Sequence, residues 1–302
     1  MEYLHKNREE FKEAAARTAE DTGFVAEAVE KDYYVSMILR GISESLPFSV
    51  FKGGTSLSKC YGVIKRFSED IDLTTDIPLS QGQKKKMKYS LVDVVRKLEL
   101  NILNLEETRS RRDYNRYEIA YESVFSSDFS PVSSVIILET SFTACSFPTV
   151  IMPVDSMIGD MLKAEAPELL KRYDLNAFCM KVQGLDRTLV DKVFAVCDYY
   201  LQNRVRKHSR HLYDIYKLLP LVRQDDAFYA LVQEVRSVRK PSPICPSAKD
   251  GVNVPELLSE IVRNEAYRED YRNLTERLLE EEVDYDTAVT ALKRIAAGGM
   301  FA

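Results

Sequence analysis

The stretch FKGGTSLSKCYGVIKRFSEDIDL, residues 51–73, decides the reading of this chain. The run FSVFK (48–52) is short, apolar and β-prone, and Gly53 and Gly54 follow it at once, so it reads as a buried strand ending in a tight turn. Residues 55–65 continue as a helix. Glycine at such a junction lets the backbone approach a ligand closely, and the start of a helix offers unpaired N–H groups and a positive dipole end. Thr55 and Ser56 add hydroxyls at the same mouth, and phosphate oxygens are the natural guests. A plain strand-to-helix turn would use the same glycines. Further on, Asp70-Ile71-Asp72 lies in a strand pattern over 70–74, where residues i and i+2 share a face. Two carboxylates so placed repel unless a cation lies between them. Mg²⁺, which takes one or two carboxylates together with substrate phosphates, is the chemical fit. An exposed strand edge with solvated acids is the plainer alternative.

Outward from this stretch, residues 4–20 read as an amphipathic helix broken at Thr22-Gly23, and 24–46 as a second helix ended by Pro47. A long helical pattern fills 78–104, and strand patterns follow at 117–124 and 132–142. This first half is helices interleaved with four short strands, an α+β (α/β) arrangement. After about residue 150 the pattern turns helical, over 154–171, 188–204, 209–222, 225–236, 254–280 and 286–299. The Pro/Ser/Lys-rich segment 240–251 reads as a loop. The expectation is an α/β domain over 1–150 with N-terminal helices, followed by a mainly helical domain over 151–302.

Composition narrows the function classes. In 302 residues, 42 Lys+Arg oppose 47 Asp+Glu, a net charge of −5, with 45% hydrophobic and 29% charged residues. These are ordinary globular values, which exclude a disordered tail, a coiled coil or a collagenous rod. They also disfavour a general nucleic-acid coat, so any nucleic-acid role must come from local patches. No apolar run reaches the roughly 18–20 residues of a membrane span, and the charged N-terminus has no signal-peptide core. Five scattered cysteines without a CxxC read as reduced thiols of a cytoplasmic protein.

A strand, GG[ST], a helix and a strand bearing DhDh together resemble the polymerase-β-type nucleotidyltransferase superfamily. With VEKDYYVSMILRGI (29–42) upstream and SRHLYDIYKLL (209–219) downstream, the set resembles the AbiEii/AbiGii toxin family of bacterial toxin–antitoxin and phage-resistance systems. The resemblance implies a polymerase-β-like core with a mixed sheet, and Mg²⁺ or Mn²⁺ held by Asp70 and Asp72. It also implies a nucleoside triphosphate held at Gly53, Gly54, Thr55 and Ser56. The family's lysine falls on Lys192 in TLVDKVFAVCDYYL, where Thr188-x-x-Asp191 looks like a capping box that would put Lys192 in the first helical turns. A surface lysine on an amphipathic helix is the alternative. The late Arg-Asp-h-[YF]-Asp motif reads Arg210-His211-Leu212-Tyr213-Asp214, with His211 where the family more often has an aspartate. Arg210 and Asp214 share a helix face, as an ordinary ion pair four apart would; the resemblance turns Asp214 to the catalytic groove, orienting Lys192 or the acceptor.

Ser68 matches a groove-facing serine of relatives, a regulatory or nucleotide-contacting hydroxyl. Glu139, in VIILETSF, is the candidate third metal carboxylate of the wider superfamily, or else the partner of a basic residue. The resemblance further implies transfer of a nucleotidyl group from NTP to an acceptor, with tRNA leading, and a cognate antitoxin. Transfer to a protein, a small molecule or Ser68 itself, or a nucleotide-binding module without turnover, stands as the alternative. Three basic clusters oppose the net charge: Lys84, Lys85, Lys86 and Lys88; Arg109, Arg111, Arg112 and Arg116 with Tyr114 and Tyr117; and Arg204, Arg206, Lys207, His208 and Arg210. Arginine among aromatics grips phosphates and stacks bases of RNA, the lysine run reads more simply as a solvated helix face, and the third cluster, which abuts the Asp214 motif, is the best candidate for an acceptor or triphosphate contact.

Overall fold

The computed structural model describes residues 2–66, 68–125, 132–142 and 145–302. They form two compact units, one of residues 1–60 and 69–182, the other of 61–68 and 183–302. The first unit holds a seven-stranded sheet in the order β3-β4-β5-β2-β1-β7-β6. Its strands are β1 (Ser49–Lys52), β2 (Ile71–Thr75), β3 (Asn101–Ile102), β4 (Tyr114–Ala120), β5 (Val135–Ser141), β6 (Thr149–Val154) and β7 (Phe178–Gln183). β1 runs antiparallel to β2 and parallel to β7, while β2 is parallel to β5. The sheet is therefore mixed, as expected. Strict alternation of buried and open residues along β4 and β5 shows why they pair with one face inward.

The helices of this unit are α1 (Arg8–Thr22), α2 (Ala26–Ser45), α3 (Gly53–Lys59), α4 (Gln81–Lys97), α5 (Met157–Glu165) and α6 (Pro167–Arg172). Gly23, at φ +78°, stops α1 in the left-handed conformation that glycine tolerates. A Ser80/Gln83 capping box starts α4. α2 is buried nearly all round, with α1, α4 and α5 packed on it. Several expectations shift. The helix over 55–65 shortens to α3, and the one over 78–104 ends at Lys97, leaving Asn101–Ile102 to pair with β4. The sheet has seven strands where four were expected. The unit that carries it runs on to Val182, through β6 and β7, past the boundary expected at 150.

The second unit is helical: α7 (Leu185–Leu201), α8 (Arg210–Leu218), α9 (Asp226–Arg239), α10 (Val254–Arg263), a single turn α11 (Arg268–Asp270) running into a π-helical stretch Tyr271–Thr275, and α12 (Tyr285–Gly298). α8 packs on α7 and α12, and α10 on α7 and α12. Segment 240–251 is irregular, as expected, with one 3₁₀ turn at Pro246–Ala248. Residues 61–68 join this unit: the Lys65 backbone N–H donates to Tyr213 Oη (2.8 Å), the Lys65 carbonyl accepts from Glu280 N (2.9 Å), and Arg66 bridges to Leu279.

Candidate active site

In the first unit the chain leaves β1 at Lys52 and turns at Gly53, whose φ is +82°. Lys52 is the cross-strand partner of Asp72, so the turn begins directly beside that aspartate. A Cβ on residue 53 would lie 2.0 Å from Asp72 Oδ2 and 2.8 Å from its Cγ. Glycine is thus required twice here, by backbone conformation and by the carboxylate pressed against its Cα. Thr55 and Ser56, expected to offer hydroxyls to a ligand, are buried, and Ser56 Oγ donates to the Gly53 carbonyl at 2.9 Å, bracing the turn from within. β2 begins at Ile71, so the same-face argument holds for Asp72 while Asp70 stands one residue ahead of the strand. Both aspartates are half-buried.

Glu139 is the direct cross-strand neighbour of Asp72, and Arg116 that of Glu139. The row Lys52, Asp72, Glu139, Arg116 therefore lies on one face of the sheet, two acids between two cations. Tyr114 Oη donates to Glu139 Oε1 at 2.8 Å; burial, and then this carboxylate, push the phenol's pKa up. Among the described residues no three His, Cys, Asp or Glu side chains stand ready to hold a metal together. The donor chemistry still suits Mg²⁺: carboxylate oxygens beside a glycine turn, with the position a Cβ would fill left open.

Three successive buried or nearly buried residues of α2 tie this region down, and none was singled out from sequence. Glu30 accepts from Ser123 Oγ (2.5 Å) and Val124 N (2.8 Å). Lys31 Nζ lies 2.5 Å from Glu69 Oε2, next to Asp70, and donates to the Ser133 carbonyl at 3.0 Å. Asp32 takes Lys59 Nζ at 2.5 Å and Met157 N at 2.8 Å, joining the end of α3 to the start of α5. The available signal was EKD inside the otherwise helical, apolar run 25–42, since charges at core positions are almost always paired.

In the second unit Lys192 sits in the third turn of α7. The expected Thr188 cap does not form, because α7 starts at Leu185 and Thr188 Oγ1 donates back to the Gly184 carbonyl at 2.9 Å. Nor is Lys192 a surface residue: it is buried, with Nζ 2.5 Å from Asp214 Oδ2. The Arg210–Asp214 ion pair is absent from the described contacts. Asp214 is held by Arg66 instead, Nε to Oδ1 at 2.7 Å and Nη2 to Oδ2 at 2.8 Å. Burial opposes Asp214's charge, but Arg66 and then Lys192 hold its carboxyl far below the usual range. Burial pushes the Lys192 amine down, with Arg66 and Arg210 adding to it against Asp214. Arg66 lay inside the deciding stretch, but nothing in its spacing announced its partner.

Ser68 is half-buried at the end of segment 61–68. His208 stacks on Tyr199 with centroids 3.5 Å apart, and His211 lies parallel beside them. Burial, then neighbouring arginines, lower His208 to about 4, and burial with Lys192 drives His211 well below its ordinary value. The lysine and arginine clusters of the first unit, far apart in sequence, meet: Lys88 Nζ donates to the Thr108 carbonyl at 2.9 Å and Lys84 pairs with Asp113. Lys85, Lys86, Arg111 and Arg112 remain exposed around half-exposed Tyr89 and Tyr114.

No curated protein matches the chain. Among solved structures it is similar to MenT4, nucleotidyltransferase toxin Rv2826c from Mycobacterium tuberculosis H37Rv, at 15% identity over 96% of this chain and 97% of that one, with a TM-score of 0.48. The family model for the nucleotidyl transferase AbiEii toxin of type IV toxin–antitoxin systems matches residues 38–291. That span takes in the glycine turn, both aspartates, Arg66, Lys192 and Asp214, and by it the protein belongs to the AbiEii family of nucleotidyltransferase toxins.

Proposed function

We propose that this enzyme is a divalent-metal-dependent toxin that transfers a nucleotidyl group from an NTP to the acceptor end of tRNA, releasing pyrophosphate and blocking translation. A cognate antitoxin in the same cytoplasm would restrain it, and the pair would serve phage resistance. The observation that carries the reading is the close approach of Asp72 to Gly53, which leaves backbone and carboxylate oxygen at one spot with no side chain between them.

Gly53 and Gly54 would receive the triphosphate along the backbone, with Thr55 and Ser56 stiffening the turn. Asp70 and Asp72 would hold Mg²⁺ or Mn²⁺, and Glu139, one strand over, is the carboxylate from which a third ligand would come. The bound ion supplies charge neutralisation at the phosphates and polarises the reacting phosphoryl group. Lys192, a compact point charge, serves the negative charge that develops on the departing pyrophosphate, and Asp214 fixes its direction. Arg210 and Ser68 are assigned to the nucleotide. Fixed charges and positioning of this kind supply most of the acceleration in phosphoryl-type transfers. For the acceptor, ten basic residues against six acidic ones between 84 and 118, in a chain of net charge −5, favour a phosphate-bearing partner at the α4 and 108–116 surface.

The test is incubation with each of the four NTPs, Mg²⁺ and total RNA, followed by intact-mass measurement of the tRNA. A mass gain of whole nucleotides that Asp72→Asn abolishes is the expected result. Label from NTP appearing only in a protein, in a metabolite or on Ser68 refutes the tRNA assignment.

A further inference from the structure

Lys31, on α2, is a buried cation set at the entrances of two strands. Its side chain is 2% exposed and that of Glu69 33%. Nζ lies 2.5 Å from Glu69 Oε2 and donates to the Ser133 carbonyl at 3.0 Å. Glu69 stands two residues ahead of β2, next to Asp70, and Ser133 stands two residues ahead of β5. β2 and β5 are parallel neighbours, so both chains enter the sheet from the same end, and one ammonium spans them. Farther along these strands Asp72 and Glu139 are cross-strand partners, in a short ladder that runs from Ile71–Leu138 to Leu73–Thr140 and leaves Asp70 ahead of it. The support behind Lys31 is itself fixed. Glu30 accepts from Ser123 Oγ and Val124 N, and Asp32 from Lys59 Nζ and Met157 N. Successive residues fan out by about 100° around a helix, so α2 is moored in three directions and cannot follow Glu69. A buried ion pair seldom adds stability over apolar residues of the same size; what this one supplies is aim.

We propose that Lys31 is a positioning residue for the metal carboxylates: from α2 it ties the chain entering β2 to the chain entering β5, and so sets Asp70 and Asp72 against Glu139. The inference rests on these three carboxylates taking a divalent cation. Groups that hold a metal's ligands from behind orient them, and losing one costs about 10–100-fold in metal affinity. Charge alone predicts the opposite sign. Taking a cation away from beside the site, and leaving Glu69 uncompensated, would draw a metal ion in more tightly. A lysine that served only the stability of the fold would leave the affinity of the folded protein unchanged.

The experiment is Mn²⁺ binding to the full chain, read from the electron paramagnetic resonance of the free ion, in the parent, Lys31→Met, Lys31→Arg and Asp72→Asn, with folding checked by circular dichroism. Lys31→Met should weaken binding by about tenfold or more, and Lys31→Arg, which keeps a cation for Glu69, by less. The Mg²⁺ concentration for half-maximal turnover should rise in the same order. Should Lys31→Met not fold, Glu69→Gln, at the more open end of the pair, decides by the same constant and in the same direction. A folded Lys31→Met, or Glu69→Gln in its place, that binds Mn²⁺ as tightly as the parent or more tightly overturns the proposal and leaves the metal reading standing. Parent binding that Asp72→Asn does not weaken overturns the metal reading itself, and the positioning role with it.

Discussion

Replacing Gly53 by alanine tests the feature on which the site depends. Two costs are built into that position. At φ +82° an alanine is held in the left-handed region, at about 1–2 kcal/mol. Its methyl carbon would also lie 2.0 Å from Asp72 Oδ2, while ordinary contact starts at 3.4 Å, so the carboxylate must retreat by roughly 1.4 Å. Misplacement of a reacting group by about 1 Å costs on the order of 100-fold in rate. Gly251, at φ +79° with nothing within 4 Å of its would-be Cβ, is the control that carries the first cost without the second. Thermal unfolding and pyrophosphate release should therefore separate the two. Both variants should lose stability equivalent to a few degrees in Tm. Only Gly53→Ala should lose about two orders of magnitude in turnover, with Gly251→Ala close to the parent. A Gly53→Ala enzyme within threefold of the parent refutes the claim that the glycine turn and Asp72 form one constellation.

Four further outcomes follow from the same geometry. Asp214→Asn strips two buried cations of their carboxylate and should destabilise the fold by about 3–5 kcal/mol in chemical denaturation; an unchanged unfolding midpoint would reject the buried cluster. His208 and His211 both titrate lower in the folded protein than in the unfolded chain, so their contribution is fully present above about pH 6.5 and is lost as the pH falls below it. Unfolding free energies between pH 7.5 and 4.5 should fall by up to about 1.4 kcal/mol per pH unit for each histidine, and His208→Gln should lessen the slope. Glu139→Gln should raise the Mg²⁺ concentration for half-maximal turnover about tenfold, read from a metal titration. Reversing Lys85, Lys86, Arg111 and Arg112 to glutamate should weaken tRNA binding and flatten its salt dependence, measured by filter binding between about 50 and 200 mM salt, with NTP binding unchanged.

Much of the site region was legible because its signals are local. A β-prone run, two glycines, a helix and an acid pair lie within 23 residues, and the β1–β2 ladder brings the turn and Asp72 together much as the spacing suggests. β5 was legible for the same reason, as its alternation is complete from Val135 to Ser141. β6 and β7 were not. In β6 only Val154 is buried, so Thr149–Val154 carries no period of two, and β7 is six residues whose one charge, Lys181, is paired with Asp76. Apart from Val154, both fall in stretches to which the sequence pattern assigned no element. Strands at or near a sheet edge are held by backbone bonds that leave no mark on side-chain periodicity.

The two plainer alternatives fail for a single physical reason. A lysine on an amphipathic helix ordinarily faces solvent, and an arginine four residues before an aspartate ordinarily pairs with it. Both rules are about neighbours on one helix. Asp214 is instead held by Arg66, 148 residues away, whose fork meets both carboxylate oxygens in a buried site. With Asp214 anchored there, Lys192 Nζ also reaches Oδ2, at 2.5 Å, and is buried with it. The same logic governs Glu30, Lys31 and Asp32, whose partners lie between 27 and 125 residues away. A charge inside an apolar pattern is thus a statement about a distant partner of opposite sign or a backbone group. In this chain those partners are Glu69, one residue ahead of the first aspartate, Lys59 at the end of α3 behind the glycine turn, and Arg66 four residues before Asp70. In each unit, taken by itself, a set of buried charges is anchored on a segment expected to carry the reaction, because groups that must be held still against like charges need rigid supports that apolar packing alone cannot aim.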